Sequence, residues 1–281
     1  MSAEGAQLPR NDAEFDRLIL VERRRAQRRE TTVAALLSLA FLLAFLGVWE
    51  LIHATGLIKP IFVSDPRSVV AALVGLLGKV ATWRAVWATF LAALCGLAVG
   101  ALFGIVCGIL MARIPVLWRA FHPYLTIFNA FPRPALAPIF ILWFGLGALP
   151  KITVAVTIVF FVLVLNTMAG IGSVAADVAF LSRALGMTSW QRFRLVELPH
   201  AMPTIVAGLR LGAVYAVLGV VVSEIVAANE GLGQLLVQYT NQFSIAESFA
   251  VLALMAALAI VLDFGVSVIQ RHLPDSAAGR D

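Results

Sequence analysis

Long apolar stretches separated by short polar, glycine-rich or proline-rich segments set the architecture of this chain. Six runs approach the roughly 20 residues that a helix needs to cross hydrocarbon: about 32–53, 86–111, 121–146, 151–173, 201–226 and 247–269. The pattern predicts an all-α integral membrane protein with six transmembrane helices. Between the first two runs, residues 55–84 carry Ser64-Asp65-Pro66, a helix start, followed by Val69, Val70, Leu73, Leu76 and Leu77 at helical spacing. An amphipathic helix at the outer face is expected there.

Two of the apolar runs carry internal punctuation. The second has glycine at 96, 100, 104 and 108. Bare backbone every fourth residue lets another helix approach closely, within the same subunit or from a second copy. The third reads Asn129-Ala-Phe131-Pro132-Arg133-Pro134-Ala-Leu-Ala-Pro138. Each proline removes a donor and clashes one turn back, so a regular helix cannot continue. Non-helical backbone at membrane depth survives only when buried in protein or lining a wet cavity. Arg133 has two readings there: contact with an anionic solute, or pairing with carbonyls that the prolines free near the cytoplasmic boundary.

One polar segment, residues 177–199, is too structured for a linker. Asp177 can cap a short helix whose Phe180/Ala184 and Leu181/Leu185 pairs share one face. Gly186 suits the left-handed residue that ends such a helix. Thr188 followed by Gln191 is a capping-box pattern that starts a second helix, carrying Trp190 and Phe193 and closed by Pro199. A helix–glycine–helix loop with an exposed apolar face is expected to dock on a protein outside the membrane.

Charge orients the chain. Hydrophobic residues make up 61% and charged residues only 13%, against about 25% in a soluble domain. With both ends inside, the cytoplasmic segments hold 14 of the 21 Lys and Arg residues: seven before the first run, then Arg113, Arg119, Arg183, Arg192, Arg194, Arg271 and Arg280. Lys59, Arg67, Lys79, Arg84 and Lys151 fall outside. This bias places both termini and the 177–199 loop in the cytoplasm, so the net charge of +5 is not a nucleic-acid signal. Residues 1–30 read as a cytoplasmic tail, 31–54 as the first transmembrane helix, 85–272 as the core and 273–281 as a second tail. The first run exceeds the 7–15 residues of a signal-peptide core, which favours an uncleaved span.

Candidate chemistry is sparse. Gly75-Leu-Leu-Gly78-Lys79 is too short for a phosphate-binding loop, with Val80 where a hydroxyl should follow. No hydrolase, metalloprotease or metal-ligand pattern occurs, and the four histidines lie scattered near span ends. No catalytic, cofactor-binding or metal-binding residue is expected. Cys95 and Cys107, about 18 Å apart along one helix, read as buried thiols. Glu224 either gates the outer mouth or caps the following turn. Arg210, about 21 Å away along the same helix, is out of its reach. Asn166 and Asp263 are expected to satisfy local backbone or neighbouring helices.

At 177–199 the sequence resembles the inner-membrane permease subunits of bacterial binding-protein-dependent ATP-binding-cassette importers. Their signature is E-A-A, three residues, G, nine residues, I-x-L-P. Gly186 and Val196-Glu197-Leu198-Pro199 match, whereas Phe180, Leu181 and Ser182 replace the acidic-small-small opening. Residues 129–147 and 224–233 look like the branch that moves nitrate, taurine, alkanesulfonates or bicarbonate, which also includes importers of pyrimidine vitamin precursors and aromatic compounds.

The resemblance implies the type I importer permease fold, a homodimer in the bacterial inner membrane, two ABC ATPase subunits that bind ATP and Mg, and a solute-binding protein. Leu181, Ala184, Leu185, Gly186, Met187, Thr188, Trp190, Phe193 and Pro199 would form the ATPase-coupling loop. Asn129, Phe131, Arg133, Asn166 and Glu224 would face the solute pathway. An ion-gradient transporter lacks support because no internal repeat is visible. A purely structural membrane protein would not need the broken third run.

Overall fold

The computed structural model describes residues 12–56, 62–227 and 229–272. Two compact units are separable, Met1–Pro66 and Arg67–Asp281. In the first, helix α1 runs without interruption over Asp12–Ala54, and its Glu30–Ala54 portion is long and apolar enough to span a membrane. The expected tail and first span are therefore one helix from Asp12 onward. Glycine and proline are absent between Asp12 and Leu46, so nothing in the sequence breaks the helix at residue 30. Beyond α1 the chain turns back, and Trp49 Nε1 donates to Ser64 O at 2.7 Å. Residues 1–11 and the whole expected C-terminal tail, 273–281, lie outside the described residues.

The second unit begins with α2 (Pro66–Leu77), the amphipathic helix that Ser64-Asp65-Pro66 predicts. It continues through α3 (Val80–Arg113), α4 (Pro115–Ala130), a 3-10 turn (Arg133–Leu136), α5 (Ala137–Phe144) and α6 (Ala148–Gly172). Then come α7 (Ala176–Ala184), α8 (Ser189–Arg192), a π turn (Phe193–Glu197), α9 (Leu198–Val226), α10 (Leu232–Asn241) and α11 (Ile245–His272). Among the described residues, five helical stretches, α1 among them, are long and apolar enough to cross a membrane. The pair from α4 to α5, bent by 83°, makes a broken sixth.

Helices α3, α6 and α9 form the centre of this unit. The glycine ladder of α3 lies against α6, which settles its partner as intramolecular. A methyl group on Gly100, Gly104 or Gly108 would come within 2.8, 2.7 and 2.7 Å of the Cβ atoms of Val159, Leu163 and Thr167, and one on Gly96 would collide with Ala155. The two four-residue periods run in register, so backbone meets side chain at every turn. In lipid such close packing supplies attraction that hydrophobicity cannot.

Proline placement explains the break. Pro115 and Pro138 occupy the first turns of α4 and α5, and Pro134 the first turn of the 3-10 segment, where a missing N–H is no loss. The chain reverses toward α6 through Gly145 at φ 74° and Gly147 at φ 151°. Pro199 behaves likewise. It does not end the second loop helix as the sequence suggests but sits in the first turn of α9. The π turn joins α8 to α9, so Ser189–Val226 is one continuous helical stretch.

Candidate functional site

The 176–197 loop is built from two short helices joined by a hydrogen-bonded turn. Helix α7 starts after Ala175, with Asp177 in its first turn and not at the cap position. It ends in a Schellman motif: Gly186 N donates to Arg183 O at 2.9 Å and Met187 N to Ser182 O at 3.1 Å, with Gly186 at φ 72°. The Thr188 capping box is complete. Gln191 N donates to Thr188 Oγ1 at 3.2 Å, and Thr188 N to Gln191 Oε1 at 2.8 Å.

Only one face of the loop packs inward. Ser182 and Phe193 are buried, whereas Phe180, Leu181, Leu185 and Trp190 are each more than half exposed. Ala184 and Thr188 are exposed as well, and Met187 is half-buried. These side chains leave an apolar face of a polar loop uncovered in the single chain.

A cationic tether holds the loop to the rest of the unit, and sequence reasoning missed it. Arg113, the last residue of α3, donates from NH2 to Ser189 O at 2.8 Å. Its guanidinium stacks 4.6 Å from the Phe193 ring centroid and lies 3.9 Å from Glu197 Oε2. Arg192 Nε donates to Glu197 Oε1 at 2.7 Å. The signal available in the sequence was basic residues at a helix end facing a loop carboxylate.

A second polar cluster is closed and buried. Glu224, in the last turn of α9, accepts from Thr89 Oγ1 and Lys151 Nζ at 3.0 Å and from Gly233 N at 2.9 Å. Thr89 in turn accepts from Leu232 N at 2.9 Å, and Lys151 also donates to Glu230 O. Side chains from α3 and α9 thus satisfy the first amides of α10, where backbone donors favour an anion, and Lys151 of α6 balances the carboxylate. Of the two sequence readings of Glu224, the capping one describes this geometry. Lys151, one of the charges that fall outside the apolar runs, is only 5% exposed. Its distance of 73 residues from Glu224 hides the pair from local pattern reading.

The remaining polar side chains named from sequence are partly or fully exposed in the single chain. Arg133 donates to Asn129 Oδ1 at 2.6 Å and to the carbonyls of Asn129 and Phe128 at 3.3 and 3.4 Å. Its guanidinium lies 4.4 Å from the ring centroid of Phe161, near the middle of α6 and not at a helix boundary. Arg133 Nε is buried without a hydrogen-bond partner among the described residues. Phe161 also lines an apolar cavity of about 610 Å³ with Met111, Phe121, Tyr124, Phe128 and Phe160. Phe131 is exposed beside the break. Asn166 donates to Val162 O, its own backbone, and packs against Gly208. The pathway residues named from sequence therefore form no single cluster: Asn129 and Arg133 meet, Asn166 lies on α6 against Gly208 of α9, and Glu224 belongs to the capping network.

Among the described residues, the second unit thus holds four apolar helices long enough to span a membrane, one broken span and a tethered polar loop, the build of a polytopic membrane protein. The chain belongs to the family of binding-protein-dependent transport system inner membrane components, whose model matches residues 100–277. It is 30% identical over 243 residues to the taurine transport system permease protein of Escherichia coli strain K12, covering 84% of this chain and 88% of that one. It is 29% identical over 275 residues to the putative aliphatic sulfonates transport permease protein of Bacillus subtilis strain 168, covering 97% and 96%. With the formylaminopyrimidine transport permease protein of Halalkalibacterium halodurans it shares 32% identity over 221 residues, covering 79% and 88%.

Among solved structures, an inward-facing MetNI methionine ABC transporter matches with a TM-score of 0.59. Identity there is 23%, over 67% of this chain and 94% of that one, which supports the type I importer permease fold.

Proposed function

We propose that this chain is the membrane subunit of an ATP-driven importer for a small anionic solute, of the sulfonate or taurine kind. It works as a homodimer in a bacterial plasma membrane, with both termini cytoplasmic. Two separate ATPase subunits bind ATP and Mg, and a solute-binding protein delivers the solute; the chain itself is non-catalytic and holds no cofactor. The observation that carries this reading is the exposed apolar face of the 176–197 loop, held rigid by its Schellman turn, capping box and Arg113 tether.

The coupling route follows from covalent continuity. Residues 181, 184, 185, 187, 188 and 190 would seat on the ATPase subunit, and Phe193 and Pro199 join the loop to the membrane helix. Because Ser189–Val226 is one helical stretch, closure of the ATPase pair would move α9 as a lever. The π turn at Phe193–Glu197 is the place where such a lever would flex. Transport then becomes a two-state element biased from both sides, by ATP and by the loaded binding protein.

Arg133, with its Asn129 clasp and buried free Nε, supports an anion on the pathway beside the proline break. A neutral aromatic or pyrimidine solute is the second reading, favoured by the aromatic lining of the cavity beside Phe161. The test is Gly186→Asp. The variant is expected to insert and to assemble, but to lose ATP-dependent uptake of radiolabelled taurine while ATP hydrolysis continues. Wild-type uptake by the variant would overturn the docking role.

A further inference from the structure

Helices α9 and α11 carry a bidentate ion pair that the permease reading leaves unused. Arg210 donates from Nε to Asp263 Oδ1 and from NH2 to Asp263 Oδ2, both at 2.9 Å. Unlike the sealed Lys151–Glu224 pair, it is open: the side chains are 47% and 30% exposed.

Its depth follows from the packing of α9 on α6. Gly208 lies against Asn166, Gly212 against Leu163 and Val159, and Gly219 against Ile158 and Ala155. Arg210 is therefore level with the turn between Leu163 and Asn166. That is about 7 Å from the middle of α6 at 1.5 Å per residue, and close to the depth at which Arg133 lies over Phe161.

A bare charge pair at this depth is strongly disfavoured against hydrocarbon, and intramembrane charges face protein or water-filled paths. The two bonds to Asp263 use two of the five guanidinium N–H donors, and the open edge keeps the geometry that matches planar or tetrahedral oxyanions. We propose that Arg210 is a switchable anion site on the solute pathway. A sulfonate or carboxylate replaces Asp263 on the guanidinium fork, and Asp263 closes the fork again once the solute has left. The proposal rests on the permease reading above and adds to it a residue, a resident competitor and a ligand class.

The test needs neither the natural solute nor ATP. Val214, one turn along the same face and exposed, is changed to Cys in a full-length chain in liposomes, with Cys95 and Cys107 replaced by Ser. Rates of modification are compared for a sulfonate-bearing and a trimethylammonium-bearing methanethiosulfonate. Both reagents should react, the sulfonate faster. Asp263→Asn should raise the sulfonate-to-ammonium rate ratio about tenfold and Arg210→Gln should lower it about tenfold, whereas Arg210→Lys keeps the preference. Absence of labelling by both reagents, or a ratio unmoved by Asp263→Asn, overturns the proposal. If Arg210→Gln does not purify as a single species, Asp263→Asn alone decides. Failure of the permease reading would show separately, as missing ATP-dependent taurine uptake by the unmodified transporter.

Discussion

Lys151 and Glu224, 73 residues apart, meet at 3.0 Å with only 7% and 0% of their side chains exposed. Thr89 and Gly233 N complete the shell around the carboxylate, and Leu232 N donates to Thr89 Oγ1. Removing one partner of such a pair strands a buried charge, whereas removing both charges does not.

Lys151→Met should therefore destabilise the protein by about 3–5 kcal/mol. Lys151→Met combined with Glu224→Gln should recover much of that loss, because the amide can still accept from Gly233 and Thr89. Unfolding midpoints of the two single variants and the double variant in detergent check this. A double variant as unstable as Lys151→Met would contradict it.

The α3–α6 contact allows a sharper comparison. Gly104→Ala drives a methyl group into Leu163 Cβ and Phe160 O, each at 2.7 Å, and should cost about 1–3 kcal/mol as the helices separate. Gly172→Ala meets nothing within 4 Å and should stay within about 0.5 kcal/mol of the parent. The same unfolding assay reads both.

How far the sequence carried the structure depends on whether a signal was local. The glycine ladder, the proline break, the Gly186 turn and the Thr188–Gln191 box all declare themselves within a few residues, because backbone conformation and capping act at that range. Lys151–Glu224, Arg210–Asp263 and Arg113–Glu197 were not legible. Each joins helices whose relative rotation is set by packing, and a charge counted toward orientation gives no sign of its partner. Pro199 misled for a related reason. Here the π turn at Phe193–Glu197 loosens the backbone just before Pro199, so the helical stretch runs on through it, as it does through Pro203.

Arg133→Lys should not behave as a conservative change. The guanidinium reaches Asn129 Oδ1 and two carbonyls while stacking on Phe161, a set that one ammonium cannot reproduce. Uptake of taurine should fall about tenfold or more in Arg133→Lys and Arg133→Ala, with uptake of a neutral pyrimidine much less affected. Equal losses for both solutes would remove Arg133 from anion recognition.

The loop should loosen from either of its two restraints. Thr188→Ala removes the cap and should cost about 1 kcal/mol locally. Arg113→Ala releases Ser189, Phe193 and Glu197 together. In both variants amide exchange across 188–194 should accelerate while exchange in the α3–α6 contact stays slow. Unchanged exchange in the loop would mean that packing alone holds it.

The central claim is that the exposed face of α7 and α8 is gripped by a separate ATPase subunit. Cysteines at Leu181, Leu185 and Trp190, in a chain with Cys95 and Cys107 replaced by Ser, test it most directly. Short bifunctional thiol crosslinkers should join each of them to the co-expressed ATPase subunit, with yields that change when ATP is added, whereas a cysteine at Val70 on α2 should give none. Crosslinks from Val70 but none from the three loop positions would contradict the account.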